Sequence, residues 1–225
     1  DVPLLVDRAM RWDRTTGYGL HSERAVKVAS PIWYLAEGAT HSGFDLFYLL
    51  QNPSAITDAV VTIRYLLPDA PELVKTYTVK AGTRANVWVD FEEFPDGSGN
   101  FALANTDVSA VIQATNGVPL IVERAMYQSR AGQLYGAGHG SAAVTEPALT
   151  WLLAEGATGD VFDLFLLLAN PNPTAATARI SYLLDDGRTL TKTVTVEGNS
   201  RRTIWVDYDT PDGTTGQPLQ AVALS

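Results

Sequence analysis

The sequence predicts an all-β protein made of two tandem immunoglobulin-like antiparallel β-sandwich modules. Three observations predict it. A block of sequence occurs twice without a gap: Trp33-Tyr34-Leu35-Ala36-Glu37-Gly38-Ala39-Thr40 and Phe44-Asp45-Leu46-Phe47-Tyr48-Leu49-Leu50-Gln51-Asn52-Pro53 return 118 residues later as Trp151-Leu152-Leu153-Ala154-Glu155-Gly156-Ala157-Thr158 and Phe162-Asp163-Leu164-Phe165-Leu166-Leu167-Leu168-Ala169-Asn170-Pro171. Such a repeat means one module copied in tandem. Short apolar runs rich in β-branched residues are punctuated by Gly, Pro and Asn, the pattern of strands and turns. No stretch shows convincing helical periodicity.

Each copy opens on an apolar run behind a proline, Val2-Pro3-Leu4-Leu5-Val6-Asp7-Arg8-Ala9-Met10 and Val118-Pro119-Leu120-Ile121-Val122-Glu123-Arg124-Ala125-Met126-Tyr127. A proline at its mouth suits a strand start. Polar, glycine-bearing loops follow, at 14–30 and 129–145, and differ in sequence although His21 and His139 keep the 118-residue offset. The Trp block supplies the next strands, which end on the turn signals Asn52-Pro53 and Asn170-Pro171.

Ile63 and Tyr65, like Ile180 and Tyr182, then fall on one face of a half-buried strand. Asp185-Asp186-Gly187 reads as a tight hairpin turn. The returning strands are 73–79 and 190–196, the second with threonine at every odd position, a solvent-facing pattern. Val87 and Val89, and likewise Ile204 and Val206, should point inward, which sends Trp88 and Trp205 to the opposite face. Final strands lie at 108–114 and 219–224, so the modules are 1–116 and 117–225, joined by Asn116-Gly117.

Composition narrows the function. Modules of about 110 residues can each bury a core without staples. The absence of cysteine excludes a disulfide framework, a thiol nucleophile and a thiolate metal site. A net charge of -9 without a basic cluster argues against nucleic acid and anionic membrane as partners. No apolar run approaches the ~20 residues of a membrane helix. A start at Asp1 without methionine reads as a processed product or an excised piece. The stop at Ser225 falls where another Gly-Val-Pro-Leu run would open a third module, so the copies read as part of a longer array.

The motifs Trp-x-Leu-Ala-Glu-Gly-Ala-Thr, Phe-Asp-x-Phe-x-Leu-Leu-x-Asn-Pro and Glu-Arg-Ala-Met-Tyr together resemble a repeat of large secreted or surface-anchored bacterial proteins whose function is uncharacterised. The resemblance covers nearly the whole chain. It implies an extracellular or cell-surface, multi-domain, non-catalytic setting and carries over no functional residues.

Several residue sets are candidates for function. Arg8, Glu37 and Asp45 match Arg124, Glu155 and Asp163, and charges inside apolar strands want each other. The expected arrangement is a structural ion pair, Arg8 with Glu37 and Arg124 with Glu155, pinning the first strand of each module to the second. The alternative is a shared acidic pocket for a cation or sugar hydroxyl. Glu37 and Asp45 could in principle serve glycoside hydrolysis, which needs two carboxylates, but the short glycine-bearing loop between them lacks a flanking aromatic cluster.

His21, His41 and His139 have no zinc-ligand spacing, and no Gly-x-Ser-x-Gly is present. The loops Asp96-Gly97-Ser98-Gly99-Asn100 and Asp209-Thr210-Pro211-Asp212-Gly213 read as turns, with calcium as a weaker second use. Trp33 and Trp151 read as core, whereas Trp88 and Trp205 could stack on a glycan or fill an interface.

The expected function is therefore a non-catalytic structural or adhesive repeat, associating with itself or with neighbouring repeats through pairing of terminal strands. A carbohydrate-binding module beside a secreted enzyme is the alternative. No cofactor is expected.

Overall fold

The computed structural model describes residues 2–12, 19–94, 101–159, 161–212 and 216–219. The elements of the described residues are β-strands, paired antiparallel throughout, with two single-turn 3-10 helices. The protein is an all-β sandwich fold, as the strand pattern predicts.

The chain divides into two compact units, and these do not coincide with the sequence repeats. Unit 1 comprises Asp1–Leu67 and Glu72–Pro147, and unit 2 comprises Pro68–Pro71 and Ala148–Ser225. The first strand of the second repeat thus belongs to the unit built by the first.

Unit 1 contains β1 (Asp7–Trp12), β2 (Gly19–Arg24), β3 (Ile32–Leu35), β4 (Phe44–Gln51), β5 (Ala59–Leu66), β6 (Leu73–Val79), β7 (Arg84–Trp88), β8 (Ser109–Ala114), β9 (Ile121–Arg130) and β10 (Gln133–Ala142). One sheet runs β10-β9-β4-β7, the other β3-β8-β5-β6. Leu46, Tyr48, Leu50 and Val122 of the first face Val61, Ile63, Tyr65 and Ile112 of the second in one continuous core. The Tyr48 and Tyr65 rings stack across it at 6.2 Å. As the alternation predicts, Val87 and Val89 are buried with Ile63 and Tyr65.

Two polar loops of the sequence reading turn out to contain strands. Segment 14–30 holds β2, which pairs with β1, and segment 129–145 holds β10, which pairs with β9. The hairpins share a register: Met10 lies opposite His21, and Met126 opposite His139. Glycine at 136, 138 and 140 lowers the strand propensity of β10, so cross-strand pairing, and not local preference, makes it a strand.

Asn116-Gly117 is a tight turn in place of a linker between modules. Gly117 sits at φ 75°, and its N–H donates to the Ala114 carbonyl at 3.0 Å. From this turn the chain crosses to the other sheet, where β9 pairs with β4 from Phe44↔Gln128 to Gln51↔Ile121. Leu120, Val122 and Met126 of the crossing strand are buried. At about 1.5–3 kcal/mol for each such side chain, the hairpin is integral to unit 1.

Unit 2 contains β11 (Phe165–Asn170), β12 (Ala176–Leu183), β13 (Thr189–Val196) and β14 (Ser200–Trp205). The pairs β11-β14 and β12-β13 repeat β4-β7 and β5-β6. Ile204 and Val206 join Leu190, Val194 and Val196 in a smaller core, and of the threonines expected to face solvent 193 and 195 are exposed while 191 is half-buried. Trp151, expected in the core like Trp33, is 61% exposed, whereas Trp33 is 2% exposed. The Trp33 indole N–H donates at 3.1 Å to the carbonyl of Leu120, the residue before β9. Among the described residues no strand stands beside β11 where β9 stands beside β4.

Candidate functional site

The charged cluster of unit 1 follows from the pleat of β9. Alternation puts Leu120, Val122, Arg124 and Met126 on the inward face, so the Arg124 guanidinium is carried into the sheet's interior. A buried guanidinium needs a counter-charge. Glu37, just beyond β3, supplies it. Arg124 Nη2 lies 2.7 Å from Glu37 Oε2, and Nη1 donates to the Glu37 carbonyl at 3.0 Å. His139 of β10 places Nε2 3.2 Å from Glu37 Oε1, and Arg124 Nη2 approaches the same ring at 3.3 Å.

Burial alone would raise the Glu37 pKa, but the hydrogen bond from His139 and the Arg124 charge outweigh it and hold the carboxyl down at about 2. Both oxygens of Glu37 are engaged, and the group is fixed as an anion.

The predicted pairing of Arg8 with Glu37 is therefore corrected. Glu37 takes its arginine from the hairpin of the following repeat. Arg8 Nη1 instead donates to Glu123 Oε2 at 2.6 Å, because the β1–β2 hairpin lodges against β9–β10. Arg124 correspondingly does not pair with Glu155. Glu155 is exposed, and no ion pair is recorded for it among the described residues.

The His21 ring, in contrast to His139, is 7% exposed beside Gly140, and among the described residues neither ring nitrogen has a hydrogen-bond partner. Burial, then the charges of Arg8 and His139, push its pKa down. Trp12 and Tyr127 pack edge-on against each other beside it.

A second arrangement occurs in both units. The Trp88 indole N–H donates to Asp45 Oδ1 at 3.1 Å, and that of Trp205 to Asp163 Oδ1 at 3.2 Å. Phe47 and Phe91 flank Trp88, as Phe165 and Tyr208 flank Trp205. Trp88 and Trp205 are about two-fifths exposed, at 38% and 43%, on the outer sheet face to which the inward valines assign them. Asp45 thus serves the tryptophan and not the Arg–Glu pair.

Two structural residues escape the sequence reading. Asp90 accepts the Leu46 N–H at 2.9 Å, and Asp207 the Leu164 N–H at 2.8 Å, each tying the strand entry to the 3-10 turn. Burial raises the Asp90 pKa to about 6 against the lowering effect of that backbone bond. Their recurrence at one place in each repeat is the signal that could have found them.

Of the loops considered for calcium, 96–100 lies outside the described residues. In the other, the Asp209 carboxylate is taken by the Tyr182 hydroxyl at 2.9 Å and by Lys192. Among the described residues no group of three or more His, Asp or Glu side chains is arranged to hold a metal.

No family model matches the chain, and a search of curated proteins gives no match. Among solved structures, it is similar to Thermotoga maritima 1070 at 12% identity and a TM-score of 0.43, over 52% of this chain and 96% of that one. It is also similar to the Anabaena sensory rhodopsin transducer at 21% identity and a TM-score of 0.34, over 44% of this chain and 91% of that one.

Proposed function

We propose that this chain is a non-catalytic structural repeat of an extracellular or surface assembly, in which each module is completed by the first hairpin of the module that follows it. The observation that supports this reading is the seat of β9–β10. It supplies unit 1 with two strands of one sheet, buried apolar side chains and the arginine that neutralises Glu37. Modules that share strands are coupled more stiffly than modules joined by a linker, which suits a stalk or filament. An engaged, fully ionised Glu37 is a poor general acid, which favours a structural role over glycosidase chemistry. The extracellular setting follows from the motif resemblance.

The reading is tested by extending the chain beyond Ser225 with a further copy of 117–145 and following amide exchange. Exchange in β11 should slow as its free edge is covered, and exchange at an unaltered rate would remove the reading.

A second reading is favoured by the repeated Asp-bound tryptophans, whose exposed aromatic faces fit sugar stacking. It takes the chain as a carbohydrate-binding module. Trp88→Ala should then abolish binding on a glycan array while leaving the unfolding midpoint nearly unchanged, and absence of any glycan binding by the parent chain excludes it.

A further inference from the structure

We propose that the β1–β2 hairpin of one copy of this chain docks on β11 of a second copy, building in unit 2 the hairpin-completed sheet that β9–β10 builds in unit 1. The inference rests on the structural-repeat reading and names the partner of the open sheet: this chain itself.

The donor is a second example of a hairpin whose seat is visible. Arg8-Ala9-Met10 repeats Arg124-Ala125-Met126, with the same cross-strand histidine. The inward stripe of β9 and the residues leading into it are buried in unit 1. The equivalent stripe, Val2, Leu4, Val6 and Met10, is exposed, with Val6 at 60% where Val122 is at 0%. Val2, Leu4 and Val6 lead into β1 and Met10 lies on it, and exposed apolar side chains grouped in this way mark an interaction face. In the present lodging of the hairpin the buried His21 ring also has no hydrogen bond among the described residues, whereas the equivalent His139 has Glu37. A buried unpaired donor or acceptor is costly, so another seat that satisfies it is favoured.

The acceptor is equally a copy of a known seat. β11 pairs with β14 as β4 pairs with β7, and among the described residues its other edge is bare. Bare strand edges are templates for strand addition. Trp151, Leu153 and Phe162, in the segment that precedes β11, are exposed.

Carrying the β4–β9 register across sets Met10 opposite Leu164, Arg8 opposite Leu166 and Val6 opposite Leu168. Arg8 and His21 would then reach Glu155 as Arg124 and His139 reach Glu37, exchanging the Arg8–Glu123 contact for a second three-residue cluster. Arg11 falls opposite Asp163, where unit 1 has Tyr127 opposite Asp45, so the charges are complementary. Donor and acceptor are different surfaces, which makes the contact heterologous and propagates it head to tail unless a ring closes.

The test is light scattering and sedimentation of the unmodified 225-residue chain over a range of concentrations. The mass should rise above 24.3 kDa with concentration. Arg8→Glu and Glu155→Arg should each weaken association roughly 30-fold or more, the range for breaking one member of an interfacial charge pair. Both changes in one chain should restore it.

Both positions are solvent-accessible, and amide protection in β4 and β9 of unit 1 and in β12 and β13 of unit 2 verifies that each variant folds. Because Arg8 touches Glu123 in the lodged hairpin, rescue by Glu155→Arg is the outcome that a merely local effect does not produce. A mass of 24.3 kDa at every concentration, association indifferent to the single changes, or failure of the rescue would overturn the proposal. Slower β11 exchange in the extended chain, together with a monomeric unmodified chain, would leave hairpin completion standing and this inference alone refuted.

Discussion

Units 1 and 2 are written in nearly the same motifs and reach different degrees of completion. In unit 1 the motif tryptophan and both facing strands are buried, and the motif glutamate is locked between an arginine and a histidine. In unit 2 the same tryptophan and glutamate are exposed, and β11 has a neighbour on one side among the described residues. The difference lies less in the motif than in what covers it. A motif residue can thus be core in one unit and exposed in the next, although the motif around it is the same.

The largest expected contrast is between the two tryptophans. Trp33→Ala removes a fully packed indole and its bond to the Leu120 carbonyl, and should destabilise unit 1 by about 3–5 kcal/mol. Trp151→Ala at low protein concentration should change stability by less than about 0.5 kcal/mol, as an exposed substitution does. Denaturant titration with amide-exchange assignment of the two units measures both. Equal costs would mean that unit 2 buries its tryptophan in solution and would erase the contrast.

The hairpin arginines give the next contrast. Arg124→Ala removes the buried guanidinium from a Glu37 that keeps His139 and is one-third exposed, and should cost unit 1 about 1.5–3 kcal/mol, the range for hydrogen bonds to a charged group. Arg8→Ala breaks a half-exposed contact with Glu123 and should cost at most about 1 kcal/mol in the monomer. A double-mutant cycle of Arg124→Ala with Glu37→Ala separates the pair from its surroundings. A coupling energy near zero would show that the buried ion pair is not what holds the hairpin.

Much of this was legible from residues alone. Period-two alternation located β5, β6, β7 and their copies, and it assigned Val87 inward and Trp88 outward, because each of those strands carries its own pattern. The hairpin strands β2 and β10 were not legible. Glycines and small polar residues fill β10, so the strand exists only by pairing with β9. The His21/His139 spacing was the one local hint of a shared structure there. The Arg–Glu pairing was anticipated in kind but not in partner. Sequence says that a strand-borne arginine needs an acid, but which of two equivalent acids lies near it is decided by the turn at Asn116-Gly117, and that turn crosses to the other sheet.

The smallest expected effect concerns pH, and it separates two carboxyls of unit 1 by sign. Glu37 titrates at about 2 in the folded unit against 4.5 for the free group. The unfolded chain therefore takes up this proton first on acidification, and the contribution of Glu37 is present above about pH 4.5 and lost as pH falls toward 2. With its side chain 34% exposed and solvent screening the pair, that contribution is about 1–2 kcal/mol.

Asp90 runs the other way. Its folded value of about 6 lies above the free value of 3.8, so the folded unit binds that proton first, and stability rises as pH falls through this window. Unit 1 should then be most stable between about pH 4 and 5. Glu37→Gln should reduce the acid-side fall, to which the lowered Asp58 carboxyl also contributes, and Asp90→Asn should remove the rise below pH 6, since an asparagine oxygen can still accept the Leu46 N–H. Stability followed from pH 7 to pH 2 decides it. An acid-side fall as steep in Glu37→Gln as in the parent chain would show that the Arg124–Glu37–His139 cluster contributes nothing to the pH dependence of unit 1.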